Sequence, residues 1–125
     1  MVMNSGILIA TAAALAKPFT ASPDCTSGSV AAALVTVSGK VYTGVCIDTR
    51  CSLGFCAEHA AVAEMLKARE AGVAMIVAVT ATGQVSIPCG RCRELLWQIS
   101  PLNADTLVII GVDKVRSLSE LLPLH

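Results

Sequence analysis

Apolar positions along this chain fall into two kinds of run. Val73 to Ala81 is almost unbroken Val, Ala, Met and Ile, the pattern of a strand covered on both faces. Val30 to Val37 and Val41 to Ile47 read as two more strands. The turn residues Ser38-Gly39-Lys40 between them predict a hairpin. Cys56 to Ala71 contains neither Pro nor Gly and is rich in Ala, Glu, Met, Leu and Lys, so it predicts a helix ended by Gly72. A second helix is expected over Cys89 to Ile99, between Pro88 and Pro101. Thr106 to Ile110 and Lys114 to Arg116 read as strands. Ser117 to Leu122 reads as a short helix, with Ser117 as N-cap and Glu120 three residues on.

The first apolar segment, Ile7 to Leu15, is too short to span a bilayer, and no Lys or Arg precedes it. We read it as an amphipathic or buried helix stopped by Pro18, and not as a secretory signal. The resulting order is helix, hairpin, helix, strand, helix, strand pair, helix. It predicts a single α/β domain over residues 1–125, a three-layer α-β-α sandwich around a five-stranded mixed sheet. The turn at Gly111 to Asp113 is too short for a crossover, so the last strand must be antiparallel.

Composition narrows the function. The formal net charge is +0, which argues against a nucleic-acid partner, because such binding needs a dense basic face. It also favours self-association. No membrane partner is expected. Aromatic residues make up only 3% of the chain, so any flat ligand has few rings to rest on.

Two segments carry the chemistry, Cys56-Ala57-Glu58 and Pro88-Cys89-Gly90-Arg91-Cys92. Each sits at a predicted helix N-terminus, where backbone N–H groups favour an ionised thiol. Cys89 and Cys92 are spaced to share one metal, and Cys56 supplies a third ligand. Three protein ligands leave one position of tetrahedral zinc open, the arrangement of a catalytic site. One zinc ion per chain is expected. Glu58 is not needed as a ligand and is placed to move protons beside the metal. A structural zinc would want a fourth ligand, for which His59 and Cys51 are the nearest candidates. The thiolate requirement places the protein in a reducing cytoplasm. Cys25, Cys46 and Cys51 read as small buried hydrophobes.

This pattern, a ligand followed by x-Glu and then Pro-Cys-x-x-Cys, is the signature of zinc nucleobase deaminases. More narrowly, the chain resembles the cytidine deaminase and blasticidin S deaminase family. Ser29-Val30-Ala31-Ala32-Ala33-Leu34, Val41-Tyr42-Thr43-Gly44-Val45, Pro88 to Glu94 and Glu120-Leu121-Leu122-Pro123 carry the resemblance, in order. The resemblance implies hydrolytic deamination of a free cytidine-like nucleoside or related aminated pyrimidine, and a homotetramer. It implies that Glu58 shuttles protons to the ring nitrogen and the leaving amine. The Ala57 N–H would contact the ring carbonyl, and the Ile87 carbonyl would lie near the amine. Arg91 or His59 would offset the negative charge of a zinc tris-thiolate. Cys46 and Asp48 occupy the positions where cytidine deaminases carry Asn-x-Glu for the ribose. Gly28 stands where relatives place a Phe against the ring, and the chain stops at His125, short of the family's terminal aromatic. A deaminase for a modified cytosine antibiotic of the blasticidin S type, and a zinc-stabilised assembly domain without turnover, are the competing readings.

Overall fold

The two kinds of apolar run become the centre of one sheet. A computed structural model describes residues 3–125. In chain order the elements are α1 (Ser5–Leu15), β1 (Phe19–Ser22), β2 (Cys25–Thr36), β3 (Val41–Thr49), α2 (Ala57–Lys67), β4 (Val73–Thr80), β5 (Val85–Ser86), α3 (Gly90–Ile99), β6 (Leu107–Gly111), β7 (Lys114–Ser117) and α4 (Leu118–Leu121). Single 3-10 turns cover Arg50–Ser52 and Pro101–Asp105.

The five expected strands lie side by side as β3-β2-β4-β6-β7. All contacts are antiparallel except β4 with β6, and β6–β7 closes antiparallel as its short turn requires. Two short strands extend this set: β1 pairs with the first residues of β2, and β5 with Ala78 and Val79 of β4. Neither was among the expected strands. Their few backbone pairings leave no hydrophobic period to detect.

Alternate side chains of the central strands feed two cores, which is why the runs are continuous. Ala33, Val35, Val77, Val79 and Ile109 meet Leu8 and Ala12 of α1 on one face. Ala32, Leu34, Ile76, Ala78 and Val108 meet Ala57, Ala61, Val62 and Met65 of α2, Leu96 of α3 and Leu118 of α4 on the other. The result is the expected three-layer sandwich. The first apolar segment is the outer layer of one face, capped by Asn4, whose side chain accepts from Ile7 N–H at 2.9 Å. No described helix is long and apolar enough to cross a membrane.

Helix α2 ends earlier than Gly72. Ala68 N–H reaches back to Glu64, and Arg69 takes the left-handed conformation, φ 67°. The segment that follows is held from the side. Buried Asn103 accepts from Val73 N–H at 2.8 Å and donates to the Ala71 and Leu96 carbonyls at 3.1 and 3.0 Å. The final helix has the full capping box of Ser117 and Glu120.

Two glycines set where the functional elements sit. At Gly44, on β3, an added Cβ would stand 2.5 Å from both the Ala60 Cβ and the Ala61 nitrogen, so this position lets α2 approach the sheet. Gly28 lies where the β2–β3 register shifts, with φ 86°. A Cβ there would collide with the Lys17 carbonyl oxygen.

Candidate active site

Helices α2 and α3 point their N-termini at one place. Cys56 and Cys89 are the N-cap residues, both extended, and Cys92 lies in the first turn of α3. Their sulfur atoms lie within 4.8 Å of one another, with Cys56 Sγ to Cys89 Sγ 3.6 Å and Cys89 Sγ to Cys92 Sγ 3.4 Å. Tetrahedral zinc with Zn–S of about 2.3 Å holds its sulfurs roughly 3.8 Å apart, so the three thiols fit that ion. Among the described residues, neither His59 nor Cys51 joins the cluster; Cys51 is exposed.

The charges of the cluster say the same. Burial pushes the Cys92 thiol far above its ordinary range, with the nearby Glu58 carboxylate adding to the effect. Burial, then the hydrogen bond with Cys89, pushes Cys56 up. Burial works against the Cys89 thiolate too. Hydrogen bonds from the Cys92 and Arg91 backbone and from the two other thiols nevertheless hold its pKa below the usual thiol range. By themselves, then, the three thiols do not ionise together. A divalent cation among them makes three thiolates compatible.

Glu58 follows Cys56 by two residues and is 4% exposed. Burial raises its carboxyl above the usual range, against opposing hydrogen bonds from its own backbone N–H and from the Cys92 thiol. A buried carboxyl with a raised pKa beside a metal site is suited to carrying protons.

A cavity of about 430 Å³ opens at this cluster, within the size range of small-ligand sites. Cys56, Cys89, Glu58, Ala57, Ile87, Arg91, Cys46 and Asp48 all line it, so nearly every residue expected at the site converges on one pocket. Cys92 is fully buried behind it. Cys46 is buried on β3, as expected. Its Sγ takes a contact from Val30 N–H at 3.4 Å and lies 3.3 Å from Ser29 Oγ and 3.5 Å from Asp48 Oδ2. Cys25 is only half-buried, and Cys51 is exposed with φ 57° in the 3-10 turn, so neither matches the buried role expected of it.

His59 does not line the cavity. Its ring stacks on Phe55 with centroids 6.2 Å apart, and its Nε2 is buried without a partner. Burial, then Arg91, lowers its pKa, and Arg91, unlike His59, lines the pocket.

Sequence reasoning missed Phe55, Ser29, Thr49, Ser52 and Ser86, which also line the cavity. Phe55 had one available signal: it is a rare aromatic directly preceding the first ligand. Ser29 had another, as a polar residue at the head of an apolar strand.

Comparison with known proteins places these features. Residues 7–109 match the family model described as the cytidine and deoxycytidylate deaminase zinc-binding region. The chain is similar to a cytidine deaminase from Burkholderia pseudomallei, at 30% identity and TM-score 0.75, covering 97% of this chain and 98% of that one. It is similar to one from Mycobacterium tuberculosis, at 27% identity and TM-score 0.81, covering 98% and 96%. The Mycobacterium leprae enzyme, 22% identical with TM-score 0.81 over 98% and 100%, shares the fold.

Proposed function

Since this chain belongs to the cytidine and deoxycytidylate deaminase zinc-binding family, we propose that it is a zinc-dependent aminohydrolase acting on a free cytidine-like nucleoside. The observation that carries this reading is the placement of three metal-ligating thiols and a buried carboxyl at the floor of one nucleoside-sized cavity.

The overall reaction forms one carbon–oxygen bond from water and breaks the carbon–nitrogen bond to the exocyclic amine, leaving a carbonyl and ammonia. Cys56, Cys89 and Cys92 would hold the zinc, which when bound would supply activation of water as the nucleophile. Glu58 would take one proton from the attacking water and pass it to the adjacent ring nitrogen, then take the second from the newly added hydroxyl as it becomes the carbonyl and pass it to the leaving amine. Its burial keeps the carboxyl basic enough to accept and acidic enough to return the proton. The Ala57 N–H belongs to the first turn of α2, where backbone donors lack intrahelical partners, so it suits the ring carbonyl. The Ile87 carbonyl receives the amine. Asp48, with Cys46 and Ser29 beside it, accepts from a sugar hydroxyl. Arg91 offsets the net negative charge of zinc with three thiolates.

The chain acts as one domain in a reducing cytoplasm, and as a homotetramer. Exposed Leu53, Ile87, Val112 and Leu124 and a net charge of +0 support self-association.

Glu58→Gln tests the reading. Ammonia release should fall at least about 100-fold while zinc stays at one per chain. The wild-type protein should bleach the ultraviolet absorbance of cytidine, 2′-deoxycytidine or a modified cytosine nucleoside. Undiminished turnover in Glu58→Gln, or reduced protein that holds no zinc, refutes it. Sedimentation at micromolar concentration tests the tetramer.

A further inference from the structure

We propose that Phe55 is the aromatic wall on which the substrate's heterocycle rests, which makes it a specificity-determining residue of this site. The proposal builds on the nucleoside reading above. The chain has one Trp, one Tyr and two Phe. Trp97 is engaged with His125, at a centroid distance of 3.7 Å. Tyr42 donates to Glu70 at the opposite end of the β2–β3 ladder from Cys46 and Asp48. Phe19 lies on β1 and is absent from the cavity wall. Of the aromatic side chains, only Phe55 lines the cavity.

Its position is fixed. Phe55 N–H donates to the Ile47 carbonyl at 3.1 Å, and Ile47 N–H donates to the Phe55 carbonyl at 3.0 Å. That double bridge clamps the residue to β3, one position before the Cys56 ligand. The ring is backed by His59, with the two planes inclined by 24°. It nevertheless remains 38% exposed, so a held ring leaves apolar surface open beside the metal ligands. Val30 and Ile87 add apolar surface to the same cavity.

The opposite strand supplies no such ring. Gly28 has no room for any side chain, because the Lys17 carbonyl occupies the space. Among these lining residues, an aromatic face for a flat heterocycle therefore comes from Phe55. Base-on-aromatic stacking is sequence-tolerant and strong enough to dominate the affinity of a small ligand.

Calorimetric binding of cytidine in a Glu58→Gln background tests this without turnover. Phe55→Ala should weaken binding about tenfold or more. Phe55→Tyr should restore it to within about threefold, and Phe55→Leu should fall between. Zinc content should stay at one per chain throughout. In the active background, KM should rise more than kcat falls. If Phe55→Ala does not fold, as judged by thermal melting, the Leu and Tyr variants carry the comparison. Cytidine affinity within twofold across the series overturns the role of Phe55 and leaves the nucleoside reading standing. If the Glu58→Gln parent binds neither cytidine nor 2′-deoxycytidine, the nucleoside reading itself fails, and the proposal with it.

Discussion

Gly44→Ala is a small change that should disable the site from outside the cavity. The added methyl carbon would stand 2.5 Å from the Ala60 Cβ and the Ala61 nitrogen and 2.8 Å from the Ala57 carbonyl oxygen. Carbon atoms pack at roughly 3.5–4.0 Å, so α2 or β3 must move by about 1 Å. The contacts are backbone and an alanine methyl, with no flexible side-chain end to yield. Overpacking of this kind costs about 1–3 kcal/mol. For a chain of this length that lowers Tm by roughly 4–12 °C. The same displacement is carried along α2 to Glu58 and Cys56, and a misplacement of about 1 Å costs on the order of 100-fold in rate. Differential scanning calorimetry, a zinc count and steady-state kinetics on the same preparation test both effects. Wild-type melting together with wild-type kcat would refute the claim that the α2–β3 approach positions the Glu58 carboxyl.

Two further outcomes follow from groups remote from the cavity. Asn103→Ala strands two buried backbone partners and one half-buried one and should cost about 3 kcal/mol in denaturant unfolding; a loss below about 1 kcal/mol would show that the segment from Ala71 to Val73 is held by something else. Hydrogen bonds from the Ser38 hydroxyl, then from the Tyr42 hydroxyl, keep the Glu70 carboxyl below its ordinary pKa. A depressed folded pKa contributes stability above the unfolded value, and that contribution disappears as pH falls through the folded one. Wild type should therefore lose more Tm than Glu70→Gln on acidification from pH 7 to about pH 3.5, and parallel Tm profiles would contradict this.

The sandwich was legible because its layers depend on long-range hydrophobic period. Val73–Thr80 reads as doubly covered and is so. The antiparallel end follows from a turn too short for anything else. The three-thiol cluster was legible because metal chemistry fixes residue type and spacing together. Other features depend on proximity that sequence does not encode. β1 and β5 exist because neighbouring strands offer free edges, and Arg69 ends α2 in a conformation that its residue type does not advertise. His59 stood beside Arg91 as a candidate cation; its ring packs on Phe55 and stays off the cavity wall, a placement its sequence position does not encode. Cys51 looked like a core residue by default, yet the 3-10 turn turns it outward.

The collision that bars a side chain at position 28 also couples that position to Lys17. Placing an aromatic there is not a one-step change. The backbone at Lys17, and with it the link from α1 into β1, would have to move first. Either change made alone meets a steric penalty or leaves an unfilled gap. Substitutions at 28 and in the 17–18 segment should therefore be epistatic, each tolerated only in the presence of the other. The sheet edge at β1 is then a joint property of two segments, which single-residue variation cannot easily alter.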